Sequence, residues 1–148
     1  MRLSKDQYYL NIADAVSERS TCLRRKYGAV IVKDDQIVGT GYNGSSRGEI
    51  NCCDLGSCPR ESLGVPKGER YELCEAIHAE DNAVLSAGRE RTLGATIYIV
   101  GRNSDGSLAS PKPCKMCRRK LINAGVTRVV GLDETLEIAV DIDLNSIE

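Results

Sequence analysis

This chain has a single histidine, His78, set in the triplet His78-Ala79-Glu80, and a Pro113-Cys114-Lys115-Met116-Cys117 segment begins 33 positions beyond Glu80. One imidazole and two thiols are the side chains that grip zinc. If they act together, the fold must bring two segments far apart in sequence to one point. Cys114 and Cys117 are three apart, so on a helix they share a face, and Pro113 marks where that helix opens. A helix N-terminus stabilises thiolates through its dipole and free amides. His78 falls early in a helix of its own. Two helix starts aimed at one spot collect one nitrogen and two sulfur donors. Zinc held by Cys₂His keeps a fourth position for water, and coordination lowers that water's pKa from about 15.7 toward about 7. Glu80 is placed to reach the water without being a ligand, as a general base would be.

Composition narrows the classes further. A length of 148 residues predicts one domain spanning residues 1–148. A net charge of −1 argues against a dedicated nucleic-acid-binding protein, which carries a basic excess. A few local arginines still suffice for a small anionic substrate. Met1-Arg2-Leu3-Ser4-Lys5-Asp6 leads into no apolar run, and no stretch reaches transmembrane length, so a cytoplasmic location without membrane association is expected. Seven cysteines, an odd number, then fit metal ligation better than disulfides.

Ser4-Lys5-Asp6-Gln7 has the form of a capping box, and the apolar spacing after it predicts a helix from about Ser4 to Ser20. Gly28–Val32 is a buried strand, turned at Asp34-Asp35 into Ile37-Val38. From Gly39 to about Lys67 the sequence is rich in Gly, Ser, Asn, Pro and Cys, which predicts a functional or ligand-held loop. A helix is predicted from Leu73 to Ala87, a strand over Ala95–Val100, a helix over Cys114–Ala124, a strand over Val126–Leu132 and a further run over Leu136–Val140. The helix–strand–helix–strand order implies parallel pairing, with helices on the sheet faces.

His-x-Glu followed by Pro-Cys-x-x-Cys is the signature of zinc-dependent nucleobase deaminases, and with these residues the chain resembles the cytidine/deoxycytidylate deaminase family. The segments Ser20-Thr21-Cys22 and Gly41-Tyr42-Asn43-Gly44 extend the resemblance through about Leu132 and favour its deoxycytidylate branch. The resemblance implies a three-layer α/β/α sandwich with a five-stranded mixed sheet, and hydrolytic deamination of dCMP to dUMP. His78, Cys114 and Cys117 would hold the catalytic zinc. Glu80 would shuttle protons as activated water attacks C4. Asn43 would contact the nucleotide. Arg24 and Arg25 are candidates for its 5′-phosphate and Tyr42 for stacking on the base.

Several relatives carry a second, structural zinc, and two of its ligands match Cys22 and Cys52. The His and Glu that complete it in relatives are missing here, while Cys58 and Cys74 are available. A closed set of Cys22, Cys52, Cys58 and Cys74 is expected, with Cys53 free. The resemblance further implies a homo-oligomer, a hexamer, and dCTP or dTTP as regulators, although Ser46 replaces a proline frequent in relatives. Two rivals stay open. One is the same chemistry on tRNA adenosine, guanine or cytidine, since Pro-Cys-x-Met-Cys occurs in those enzymes too. The other is a non-catalytic zinc-binding interaction protein, which would need neither Glu80 nor Asn43.

Overall fold

The computed structural model describes residues 1–66 and 76–147. Its elements, in chain order, begin with α1 (Lys5–Ser17), the hairpin strands β1 (Arg25–Lys33) and β2 (Gln36–Tyr42), and β3 (Gly44–Ser45). Two single-turn helices follow, α2 (Cys52–Leu55) and α3 (Pro59–Ser62), then β4 (Ala76–Ile77), α4 (Ala79–Ala87) and α5 (Arg89–Thr92). The chain continues through β5 (Thr96–Asn103), β6 (Leu108–Ala109), α6 (Lys115–Asn123), β7 (Arg128–Leu132) and β8 (Ala139–Asp141).

Ser4 caps α1 as predicted, its Oγ accepting from the Gln7 amide at 3.2 Å. The Gln7 side chain turns to Asn11 instead, so only half of the capping box forms. Asp34 and Asp35 both adopt positive φ, 52° and 59°, which gives the two-residue hairpin turn a twist that matches its strands.

The strands run in the order β2-β1-β5-β7-β8, with β6 paired to the end of β5. The β5–β7 pair is parallel, joined over α6, as the alternating order implied, and the other pairs are antiparallel. The side-chain period of two sorts residues onto opposite faces. Val30, Tyr98, Val100 and Val130 pack under α1 with Tyr9, Leu10 and Ala13. Ala29, Ile31, Ile97, Ile99 and Val129 pack against Ala79, Ala83 and Ala87 of α4 and Leu121 of α6. The result is the expected α/β/α sandwich.

Two predicted boundaries moved for reasons of packing. The glycines at 39 and 41 do not end the second strand. A Cβ on Gly41 would lie 2.3 Å from the Ala83 amide nitrogen and 2.4 Å from the Ala79 carbonyl oxygen, and one on Gly39 would lie 2.6 Å from the Ala83 carbonyl oxygen. These residues are bare because α4 rests on them. Within the described residues of the predicted 73–87 helix, Ala76 and Ile77 are extended and pair with Ser45 and Gly44. Strand pairing overrides the helical propensity of alanine there, and α4 starts only after His78.

Candidate metal and active site

His78 is the N-cap of α4, with extended backbone (φ −70°, ψ 153°). The β3–β4 pairing delivers it, and Asn82 fixes the helix behind it by donating to the Tyr42 carbonyl at 2.8 Å. Cys114 is the N-cap of α6, its Sγ accepting from the Cys117 amide at 3.5 Å. Lys120 of α6 pairs with Asp81 of α4 at 2.7 Å, which ties the two helices together beyond their starts.

The two N-termini converge. His78 Nδ1 lies 3.5 Å from Cys114 Sγ and 3.3 Å from Cys117 Sγ. Among the described residues, this is the one group of three potential ligands whose donor atoms all lie within 4.8 Å of one another. One nitrogen and two sulfurs, half-buried to buried at two helix starts, are a donor set that fits zinc. The Cys114 thiol is pushed down to about 3, chiefly by the Cys117 thiol donating to it and also by His78. Cys117 is driven up in turn because the pair shares a proton. The same contact with Cys114 raises the imidazole.

Glu80, in the first turn of α4, is 7% exposed, and desolvation raises its carboxyl. It is not one of the three donors, yet it opens onto the same cavity as His78 and Cys114, a space of about 400 Å³. The expected juxtaposition of imidazole, two sulfurs and a separate carboxyl is therefore present.

The remaining candidates divide. Asn43 lines the cavity and is buried. Its Oδ1 accepts from Ser20 Oγ at 2.6 Å and from the Tyr27 amide at 2.8 Å, and its Nδ2 donates to the Arg25 carbonyl at 2.9 Å. The acceptor is filled, and one amide hydrogen is left for a ligand. Arg24 and Arg25 both line the cavity, and Arg24 is paired with Glu61 at 2.7 Å. Tyr42 is not among the lining residues; Tyr27 is, its hydroxyl donating to the Ser110 carbonyl at 3.0 Å. Sequence proximity to Asn43 pointed to Tyr42. The signal that finds Tyr27 is strand parity, since it shares a face with Ala29 and Ile31.

Cys22 and Cys58 line the same cavity. Cys52 is buried and Cys53 exposed, while Cys74 lies outside the described residues. Arg60 and Lys112 also line the cavity, and the sequence did not single out either.

Residues 3–132 match the family described as the cytidine and deoxycytidylate deaminase zinc-binding region. A deoxycytidylate deaminase of Mycobacterium phage D29 is 41% identical over 130 residues, covering 84% of this chain and 91% of that protein. One from Schizosaccharomyces pombe is 37% identical over 129 residues, covering 87% of this chain but only 37% of the longer yeast protein. The structure of a dCMP deaminase from cyanophage S-TIM5, in complex with dCMP and dUMP, superposes with a TM-score of 0.62 at 25% identity, covering 88% of this chain and 82% of that one. Sequence, fold and the meeting of His78 with Cys114 and Cys117 agree: this chain belongs to the cytidine and deoxycytidylate deaminase family.

Proposed function

We propose that this protein hydrolyses dCMP to dUMP and ammonia, in pyrimidine deoxynucleotide metabolism and toward dTMP supply. The observation that carries the reading is Glu80, a buried carboxyl that shares a cavity with the His78–Cys114–Cys117 donors without being one of them. His78, Cys114 and Cys117 would hold a zinc ion, which when bound would supply the Lewis acidity that makes a water acidic enough to react near neutral pH. Glu80 accepts that water's proton at a carboxylate oxygen. It then gives that proton to the pyrimidine ring nitrogen as the water's oxygen bonds to C4, and passes the oxygen's second proton to the departing ammonia as the C4–N bond breaks. Burial excludes bulk water from the carboxyl and holds it at fixed reach. The remaining amide hydrogen of Asn43 orients the nucleotide, and Arg25 and Arg24 face its phosphate. The relatives named deoxycytidylate deaminase support dCMP as the substrate.

A second, structural zinc on Cys22, Cys52, Cys58 and Cys74 is part of this reading, and the burial of Cys52 and Cys58 beside an exposed Cys53 supports that ligand choice. A cytoplasmic homo-oligomer, a hexamer, regulated by dCTP or dTTP completes it. The test is ammonia release from a panel of dCMP, CMP, deoxycytidine, guanine and tRNA, with zinc per chain measured alongside. Turnover of dCMP above the others supports the proposal; no ammonia from dCMP refutes it.

A further inference from the structure

Among the described residues, four cationic side chains line the cavity that holds His78 and Glu80: Arg24, Arg25, Arg60 and Lys112. Arg24 is engaged by Glu61, and Arg60 is 3% exposed and donates to the Pro66 carbonyl at 2.6 Å. Lys112 differs from Arg24 and Arg60 in two ways. Its ammonium enters none of the ion pairs or side-chain hydrogen bonds found among the described residues; only its backbone amide is engaged, at 3.4 Å from Ser110 Oγ. Its loop is also fixed on both sides. Pro111 and Pro113 are buried while Lys112 between them is exposed.

The seats of that loop are visible. Pro111 lies against the bare backbone of Gly131 in β7, where an added Cβ would stand 2.5 Å from its ring. The Tyr27 hydroxyl holds the Ser110 carbonyl. Each proline locks its own φ. Lys112 is thus projected from a rigid support into the cavity wall, two residues before Cys114. A mobile surface lysine loses entropy when it is fixed on a ligand; here the backbone share of that loss has already been met by the fold.

We propose that Lys112 is the specificity-determining residue that reads the nucleotide's phosphate, so that this site takes a nucleoside monophosphate in preference to the nucleoside. The inference rests on the deaminase reading above. A phosphate monoester carries roughly −1.5 to −2 charge at neutral pH. An ammonium with no ion-pair partner among the described residues, on the wall of a part-buried cavity, is its natural complement. Arg25, on the same wall, supplies the second cation.

The experiment compares zinc-loaded wild type, Lys112→Ala and Lys112→Arg on dCMP and on deoxycytidine. A lost charge-assisted contact corresponds to roughly 10- to 100-fold. We therefore expect kcat/KM for dCMP to fall by that factor in K112A, mainly through KM. The loss on dCMP should exceed the loss on deoxycytidine at least tenfold, and K112R should recover most of it. Inorganic phosphate should also compete with dCMP more weakly in K112A. Equal losses on both substrates, or no loss on dCMP, overturn the role of Lys112 while leaving the deaminase reading intact. Absence of dCMP turnover in the wild type overturns the deaminase reading and this inference with it. Because Lys112 is exposed, melting temperature and zinc content should match wild type, and a shared drop in both would mark the residue as structural and refute the proposal.

Discussion

Gly41→Ala adds one methyl group where β2 carries the first turn of α4. The new Cβ would sit 2.3 Å from the Ala83 nitrogen, 2.4 Å from the Ala79 carbonyl oxygen and 2.8 Å from the Asn82 carbonyl carbon. All three are backbone atoms, so no side chain can swing aside. Ordinary contact begins near 3.4 Å, so the helix must retreat by about 1 Å or the strand must bow. Overpacking of this kind costs roughly 1–3 kcal/mol, and a chain of this size loses roughly 2–4 °C of melting temperature per kcal/mol. The effect on activity should be larger. Ala79 lies between His78 and Glu80, and a misplacement of about 1 Å in a catalytic group lowers rates on the order of 100-fold. Gly39→Ala is the contrast, because its Cβ would meet the Ala83 oxygen and Ala87, at the far end of α4. It should lower stability by a similar amount and activity by less. The assays are thermal melting and kcat/KM for dCMP on zinc-loaded protein. If G41A keeps its melting temperature and stays within twofold of wild-type activity, the reasoning that these glycines position the site is refuted.

Glu80→Gln should lower kcat by roughly 10²- to 10⁴-fold or more, because it removes the proton shuttle, while zinc content stays at the wild-type level; substantial residual turnover would exclude the role. Cys52→Ser should lower the metal content by one zinc per chain and loosen proteolytic resistance, whereas Cys53→Ser should change neither; the reverse pattern would exchange the two ligands. Asp6 accepts from Arg128 at 2.8 and 3.0 Å and from the Tyr98 hydroxyl at 2.9 Å, and chiefly the Arg128 contact holds its pKa below the ordinary 3.8. The folded state therefore binds a proton at Asp6 less readily than the unfolded state. The resulting stabilisation is present above about pH 4 and is lost as pH falls through the lowered folded value. The pair is partly exposed, so its worth is about 1 kcal/mol or less. Urea midpoints for wild type and Asp6→Asn should differ at pH 6 and converge toward pH 3; a gap that widens on acidification would contradict the assignment.

The chemistry of this protein is local in sequence. His-x-Glu and Pro-Cys-x-x-Cys specify which donor atoms converge and which carboxyl stays apart from them, because capping positions and helical spacing constrain those side chains within a few residues. The continuous apolar runs likewise determined the buried strands, and the order of helix and strand determined the β5–β7 parallel pair. What depended on the tertiary structure involves partners distant along the chain. Gly39 and Gly41 have the look of turn residues until α4 is laid on them. Ala76 and Ile77 have helical propensity until Gly44 and Ser45 pair with them. Tyr27 enters the cavity wall only because a strand's parity and the docking of the Ser110 loop bring it there, while Tyr42, adjacent to Asn43 in sequence, stays outside that wall. Lys112 acquires its meaning only when Gly131, nineteen residues after it in strand β7, makes room for the proline that fixes its loop. Local spacing sets the identity of the reacting groups, but long-range packing sets the shape of the space they share, and no short window of sequence contains both sides of that contact.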